Sequence, residues 1–126
     1  MGGCEKIKIR SCQNLQGIAV SSGNSFVHET ESQVILNGSY NINFTMDLVE
    51  KDVGLFNELA KKLETNLEIS PLVLDIFKDA KKKYGSRAWS SMVVKRFEDK
   101  LGIDFRASNF PEELIDDEKE EKGYEI

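Results

Sequence analysis

Lys51 and Asp52 stand next to each other in the stretch DLVEKDVGLFNELA, and Gly54 follows two residues later. A lysine ammonium can meet a phosphate or carboxylate as a point charge, and a neighbouring aspartate can orient it. A glycine inside a helix costs about 1 kcal/mol relative to alanine, and such a position often admits a ligand or another backbone. Two interpretations stay open, a ligand-facing pair and an exposed surface ion pair, and spacing alone favours the second.

The other reactive side chains give no pattern typical of a complete enzyme. The chain has one histidine, His28, and two cysteines, Cys4 and Cys12. The cysteines form no C-x-x-C motif and indicate free thiols in a reducing compartment, with a disulfide as the alternative. Zinc-ligand spacing, the G-x-G-x-x-G motif and the Walker loop are all absent from the sequence. We therefore predict no catalytic residue and no metal site in this chain.

The distribution of charge bears on the partners of the protein. The net charge is −5, and residues 116–126 hold six acids and two lysines, a net of −4, so the remaining body is nearly neutral. A neutral body argues against binding to nucleic-acid backbones. Acidic residues interrupt the one basic region, which favours a solvated helix face over a nucleic-acid face. That region comprises Lys81, Lys82, Lys83, Arg87, Lys95, Arg96 and Lys100.

The chain carries no apolar run of 18 residues and no charged leader followed by an apolar segment. Such features would indicate a membrane span or a secretory signal. We therefore expect a cytoplasmic protein with no nucleic-acid and no membrane partner.

Three amphipathic helices are predicted to position these residues. From Met46 to Leu63, apolar side chains recur in steps of three and four, with Thr45 as the N-cap. A second helix begins with Ser70 as N-cap and ends at Gly85. A third spans residues 86–102, where aromatic and aliphatic residues recur every four positions before a closing glycine. The pattern predicts an all-α fold, a helical bundle of three main helices with additional short helices.

The remaining segments give weaker signals. Residues 1–20 stay unassigned, although the alternation of Ile7 and Ile9 with lysines is weakly typical of a strand. Residues 27–36 and a segment starting at Pro111 are predicted to form short helices, and residues 21–25 and 37–41 to form loops. The organisation is thus a head over residues 1–20, a helical domain over 21–115 and a mobile acidic tail over 116–126.

Four stretches in a fixed order resemble a known family. They are SSGNSF, LNGSYNINFTMDLVEKDVGLFNELAKK, SPLVLDIF and SRAWSSMVVKRFED, followed by GIDFRASNFPEELIDDE. Together they resemble the C-terminal domain of the β-hydroxyacid dehydrogenases, the 3-hydroxyisobutyrate dehydrogenase group, over roughly residues 21–118. The resemblance implies a helical domain of the 6-phosphogluconate dehydrogenase C-terminal type.

The resemblance also implies a function. Members of the family oxidise small β-hydroxyacids or reduce semialdehydes with NAD or NADP, which a separate Rossmann domain binds. The lysine–aspartate pair of the family corresponds to Lys51, which would reach the cofactor, and Asp52, which would lie near the substrate. Phe44 corresponds to an aromatic residue at the wall of the substrate pocket.

The departures from the family limit this prediction. The glycine-rich fingerprint, the Ser-Gly-Gly loop of the first domain and the G-x-x-x-K-x-x-x-N element with the catalytic lysine are absent from the sequence. We therefore expect a substrate-binding and dimerisation domain that is inactive alone, because hydride transfer needs a bound nicotinamide and a general acid–base group. Its expected partner is a second copy or the missing Rossmann domain. The alternatives are a stand-alone helical interaction module and a nucleic-acid accessory domain.

Overall fold

The computed structural model describes residues 2–117, 119 and 123, and for residues 2–10 the backbone only. Within these residues the protein is helical, and the prediction of an all-α fold is confirmed. The helices are α1 (Gly2–Ala19), α2 (Phe26–Asn37), α3 (Met46–Lys62), α4 (Ile69–Tyr84), a 3-10 helix (Ser90–Val94) and α5 (Lys95–Leu101). Helix α3 packs along α4, α1 packs on α2, and the 3-10 helix contacts α2, α4 and α5.

Helices α2, α3 and α4 confirm what the sequence pattern predicted for these segments. Ser25 caps α2 by accepting a hydrogen bond from the N–H of His28, and Gly38 ends it at φ +94°. Helix α4 ends at Gly85, whose φ of +104° is a conformation that side-chain-bearing residues rarely adopt. The local signals succeeded here because apolar spacing and a terminal glycine act within a few residues of each other.

The predicted caps of α3 and α4 are wrong in detail. Thr45 occupies the N-cap position of α3, yet its hydroxyl makes no capping bond and donates instead to the carboxylate of Asp47. Helix α4 begins one residue before Ser70, with Glu68 as its N-cap residue and no side-chain capping bond. A helix end that packs on a neighbouring helix depends less on capping than an isolated one.

The prediction of one helix over residues 86–102 is also wrong. Backbone hydrogen bonds hold the first part extended against the start of α3, from the N–H of Met46 to the Ala88 carbonyl and from the N–H of Ser90 to the Phe44 carbonyl, each 2.8 Å long. A 3-10 helix follows, and only residues 95–101 are α-helical. Gly102 ends α5 at φ +65° as predicted, but Phe97 and Leu101 are 58% exposed rather than part of a core seam.

The two weakest predictions fail at the ends of the chain. Residues 4–12 lie inside α1 rather than in a strand, since a short alternation of isoleucines with lysines and arginine is outweighed by good helix formers along the whole segment. Residues 111–117 form no helix, and Glu113 instead forms an isolated bridge with Asn41. Most of the tail over residues 116–126 lies outside the described residues.

The buried core is small and sits where α2, the start of α3, and the segment 88–98 meet. Met46, Val34 and Ala80 are 0% exposed. Several large apolar side chains on α3 and α4 remain exposed. The core therefore fixes the start of α3, while the second half of α3 presents an open surface.

Candidate functional site

The pair of Lys51 and Asp52 lies midway along α3 and is open to solvent. The lysine Nζ lies 3.2 Å from the aspartate Oδ1, and the two side chains are 59% and 55% exposed. An exposed ion pair of this kind contributes little to stability, typically 1 kcal/mol or less. The pair is therefore dispensable for the fold, and both charges are available to a ligand or partner.

An open, mainly apolar groove lies beside Asp52. It has a volume of about 800 Å³, and we call it the apolar groove. Its lining comprises Asp52, Val53, Phe56, Ile69, Ser70 and Val73, together with the loop 66–68. Phe56 and Ile69 are 55% and 73% exposed. Apolar clefts with a few polar groups at the edge are typical of binding sites.

Lys51 borders a different hollow from Asp52. Successive residues on an α-helix project about 100° apart, so neighbours in sequence face different sides. Lys51 lines a hollow of about 540 Å³ together with Gly54, Leu55 and Glu58. A ligand in the apolar groove would therefore contact Asp52 directly. The Lys51 side chain would have to extend across the surface of α3 to contact the same ligand.

Gly54 leaves open space on α3. A Cβ atom added at this glycine would meet nothing within 4 Å. Within the described part of the chain, no backbone approaches the glycine, and that half of the expectation is wrong. Approach by a ligand or by another chain stays a prediction.

Phe44 lies apart from the apolar groove. It precedes α3 by two residues, is partly buried, and its carbonyl accepts the hydrogen bond from Ser90. The helix rise of about 1.5 Å per residue places Asp52 about 9 Å further along α3 than Met46. Among the residues that line the apolar groove, the aromatic one is Phe56 rather than Phe44. The role predicted for Phe44 stays a prediction.

The second half of α3 also carries an exposed stripe of leucines, which we call the leucine stripe. Leu55, Leu59 and Leu63 are spaced by four residues and are 57%, 53% and 66% exposed. Residues four apart lie on one face of a helix. A continuous apolar face of this kind is typical of an interaction surface.

A buried polar cluster, the Glu98 cluster, joins the loop between α2 and α3 to α5 and to the segment that follows α5. The Glu98 side chain is 1% exposed and accepts hydrogen bonds from the Tyr40 hydroxyl, the Phe105 N–H and the Arg106 guanidinium at 2.5, 3.0 and 2.8 Å. The guanidinium also donates to the Tyr40 hydroxyl at 2.7 Å and lies 5.1 Å from the centre of its ring. Burial and the hydrogen bond to Glu98 raise the pKa of Tyr40 above its usual value.

Almost no local pattern in the sequence indicates the Glu98 cluster, since its members are up to 66 residues apart. The one local signal is the Asn-Gly turn that precedes Tyr40. Gly38 there has φ +94°, and a Cβ atom on it would lie 2.5 Å from Nε of Arg106. The cluster faces inward and is satisfied by its own members, so we assign it to the fold rather than to ligand binding.

The charged surface around the site is largely paired. The Arg87 guanidinium donates to Asp47 at 3.2 Å, and Lys81 pairs with Glu50. The hydrogen bond from Thr45, and then Arg87, hold the pKa of Asp47 below its usual value. Such pairing of basic residues agrees with a solvated helix face.

No group of three or more metal-ligating side chains is arranged to hold an ion in the described residues. None of the helices in the described part of the chain is long and apolar enough to cross a membrane. Cys12 is a free, partly buried thiol.

The structure is an all-α domain in which a helix presents an exposed charged pair, with Asp52 at the edge of an apolar groove. The chain belongs to the 3-hydroxyisobutyrate dehydrogenase family, because the family model described as "NAD-binding of NADP-dependent 3-hydroxyisobutyrate dehydrogenase" matches residues 3–97. No curated protein and no solved structure matches the chain. The family resemblance seen in the sequence is thereby confirmed, and the match also includes most of the previously unassigned head.

Membership of this family relates the chain to oxidoreductases and to the binding of NAD(P). The match contains α1 to α4, the 3-10 helix and the first residues of α5. Lys51, Asp52 and Phe44 all lie within the matched range.

Proposed function

We propose that this chain is the helical substrate-side domain of an NAD(P)-dependent β-hydroxyacid dehydrogenase of the 3-hydroxyisobutyrate type. In this proposal α3 forms one wall of an active-site cleft whose other wall is a separate nucleotide-binding domain. The observation that supports it most is the exposed Lys51–Asp52 pair beside the apolar groove, in a chain of this family. The fragment character, the substrate class and the dimer are parts of the same proposal.

The described residues fit one edge of a dinucleotide rather than the whole molecule. Lys51 offers an exposed cation for a phosphate, and the open space at Gly54 admits close approach. The glycine-rich turn that ordinarily receives the pyrophosphate does not occur in this sequence. NAD(P), when bound by the complementary domain, supplies the hydride acceptor, and this chain supplies only a charged contact to it.

Asp52 and the apolar groove would act on the substrate side. An aspartate in this position can accept a hydrogen bond from a substrate hydroxyl and can hold Lys51 oriented through their 3.2 Å contact. Val53, Phe56 and Ile69 would pack on the carbon skeleton of a small hydroxyacid and exclude water from it. The general acid–base group would come from the complementary domain, and the chain alone would be inactive.

The leucine stripe would be covered in the working assembly. Either a second copy or the complementary domain can bury Leu55, Leu59 and Leu63, which are more than half exposed here. We propose the dimer as the default state of the isolated chain, because exposed apolar faces drive self-association when no other partner is present.

Reconstitution tests the proposal. The chain is mixed with a separately produced nucleotide-binding domain of this family, and oxidation of a panel of small hydroxyacids is followed with NAD and with NADP. We expect activity only in the mixture, and a loss of that activity in Lys51→Ala. The control is Lys62→Ala, a lysine of the same helix that lines neither hollow, and it should retain full activity.

Each result then separates the interpretations. Activity that is equal in Lys51→Ala, Asp52→Ala and Lys62→Ala would contradict the role of the pair. No activity in any mixture, together with no binding of the nucleotide-binding domain, would favour the alternative of a stand-alone helical interaction module. The exposed leucines are the observation that favours that alternative.

A further inference from the structure

Asn57 on α3 is a buried side chain with an unused hydrogen-bonding atom. The residue is 8% exposed, and its amide nitrogen lies 3.5 Å from the carbonyl of Ser70. Its Oδ1 is buried and has no hydrogen-bond partner in the described protein. A buried acceptor left without a donor is costly, and each such atom in a folded protein calls for an explanation.

Two adjoining hollows meet at this side chain. They have volumes of about 540 and 310 Å³, and they share Asn57, Lys61, Leu74 and Lys78 in their linings. We call this shared region the lysine hollow. It lies between α3 and α4 and does not include the residues of the apolar groove.

Two cations from different helices line the same hollows as Asn57. Lys61 on α3 and Lys78 on α4 have no ion pair in the part of the chain that the structure describes, whereas Lys81 nearby pairs with Glu50. Glu58 and Asp75 also line the hollows, one in each, and make no ion pair among the described residues. The shared centre of the lysine hollow thus combines two unpaired ammonium groups with a hydrogen-bond acceptor.

This combination of groups selects the chemistry of a ligand. The lysine ammonium groups favour an anionic ligand, and Oδ1 of Asn57 accepts a hydrogen bond only from a group that carries a proton. Hydrogen phosphate, or a phosphate monoester in its protonated form, has both: charged oxygens and a P–OH group. Sulfate has the same shape and charge but no proton to donate at neutral pH.

We propose that the lysine hollow binds a protonated phosphate group, with Lys61 and Lys78 contacting its anionic oxygens and Oδ1 of Asn57 accepting its P–OH. Oδ1 is buried here, so its contact with the phosphate requires the amide to turn toward the hollow. The proposal does not depend on the dehydrogenase function.

Titration of the whole chain with inorganic phosphate and with sulfate, at constant ionic strength and pH 7, tests the proposal by calorimetry and by NMR of the Asn57 side-chain amide. We expect phosphate to bind more tightly than sulfate and to shift the Asn57 amide resonances. Methyl phosphate separates the two sources when it is compared with inorganic phosphate at about pH 5, where both ligands carry a P–OH group. Equal binding assigns a monoester, and weaker binding of methyl phosphate assigns the free ion.

Variants then locate the site. Lys61→Gln and Lys78→Gln should each weaken phosphate binding about tenfold, since each removes one charge-assisted hydrogen bond. Lys62→Gln and Lys82→Gln, exposed lysines of the same two helices outside the hollows, should leave it unchanged. Glu58→Gln should strengthen binding by removing a nearby negative charge.

Asn57→Leu separates the ligand site from a structural role. It should remove the preference for phosphate over sulfate while leaving the thermal midpoint equal to or above that of the wild type. Equal affinity for phosphate and sulfate in the wild type, or phosphate binding untouched by both Lys61→Gln and Lys78→Gln, would overturn the proposal. A wild-type chain that binds no phosphate at millimolar concentration would do the same.

Discussion

Removal of the positive charge from the Glu98 cluster should cost far more stability than removal of the negative charge. The perturbation is Arg106→Met, which keeps a long apolar stem and deletes the guanidinium. Glu98 would keep the Tyr40 hydroxyl and the Phe105 N–H as donors and the Lys95 ammonium 3.9 Å away, but its carboxylate would be 1% exposed with no guanidinium hydrogen-bonded to it.

The size of the effect follows from burial. Breaking a buried ion pair by removing one partner typically costs about 3–5 kcal/mol, because the remaining charge stays desolvated. Arg106 itself is 28% exposed, so water screens part of the pair and we take the lower end, about 3 kcal/mol. For a chain of this length that corresponds to a fall of about 12 °C in the thermal midpoint.

The opposite variant gives the comparison. Glu98→Gln leaves the guanidinium 28% exposed, where water can solvate it, and keeps an acceptor for the N–H of Phe105. We expect the free energy of unfolding to fall by about 1–2 kcal/mol, as when one partner of an ordinary buried hydrogen bond is replaced by a weaker one. The double variant Arg106→Met/Glu98→Gln should be more stable than Arg106→Met alone, since no buried charge is left unpaired.

Denaturant unfolding at pH 7, followed by circular dichroism, measures all three variants against the wild type. A double variant whose loss equals the sum of the two single losses would refute the reasoning, because it would show that the two charges act independently. A larger loss in Glu98→Gln than in Arg106→Met would refute it as well.

Three further predictions concern the surface and the dependence on pH. Leu59→Glu places a charge in the centre of the leucine stripe. It should convert a self-associating chain into a monomer, as measured by sedimentation velocity, without changing the helix content. A wild-type chain that is already monomeric at high concentration would contradict the proposed dimer. Burial of Tyr84 and the hydrogen bond from its hydroxyl to Asp99 raise the pKa of this tyrosine from 10.0 to about 12. The wild type should therefore lose stability between pH 10 and 12 more steeply than Tyr84→Phe. Equal slopes of stability against pH in the two proteins would contradict this prediction. The hydrogen bonds from Arg96 and Lys83 hold the pKa of Asp79 below its usual 3.8. The contribution of ionised Asp79 to stability is therefore present above pH 4 and lost in stronger acid, so the stability difference between wild type and Asp79→Asn should narrow as the pH falls from 5 to 2. A constant difference over this range would contradict the prediction.

The elements that could be predicted from the sequence are those whose signals are local. The spacing of apolar residues along α3 and the glycines after α4 and α5 each act within one or two turns, and the structure agrees with them. The same rules failed over residues 86–94, where pairing with the segment before α3 competes with helix formation. The antiparallel bridge between Thr45 and Trp89 joins residues that no local pattern connects.

The candidate site could be predicted only in part for the same reason. Lys51 and Asp52 were predicted as site residues from a family pattern, and the structure adds the apolar groove beside Asp52 and a second hollow beside Lys51. The floor of that groove comes from α4 and the loop before it, whose packing against α3 is a property of the tertiary fold. Apart from the Asn-Gly turn before Tyr40, no local sequence pattern indicates the Glu98 cluster or the unpartnered oxygen of Asn57, since satisfaction of a buried polar group depends on distant residues.

The kcat/KM of Asp52→Ala in the reconstituted enzyme shows whether the exposed charged pair of α3 faces the substrate cleft of a complete dehydrogenase. We predict a loss of about 10- to 100-fold, the size expected when one hydrogen bond to a charged group is removed at a reacting ligand, and no loss in Asp104→Ala, an exposed aspartate outside the groove. An Asp52→Ala enzyme as active as Asp104→Ala would show that the pair belongs to the outer surface of the domain, and the account would be wrong.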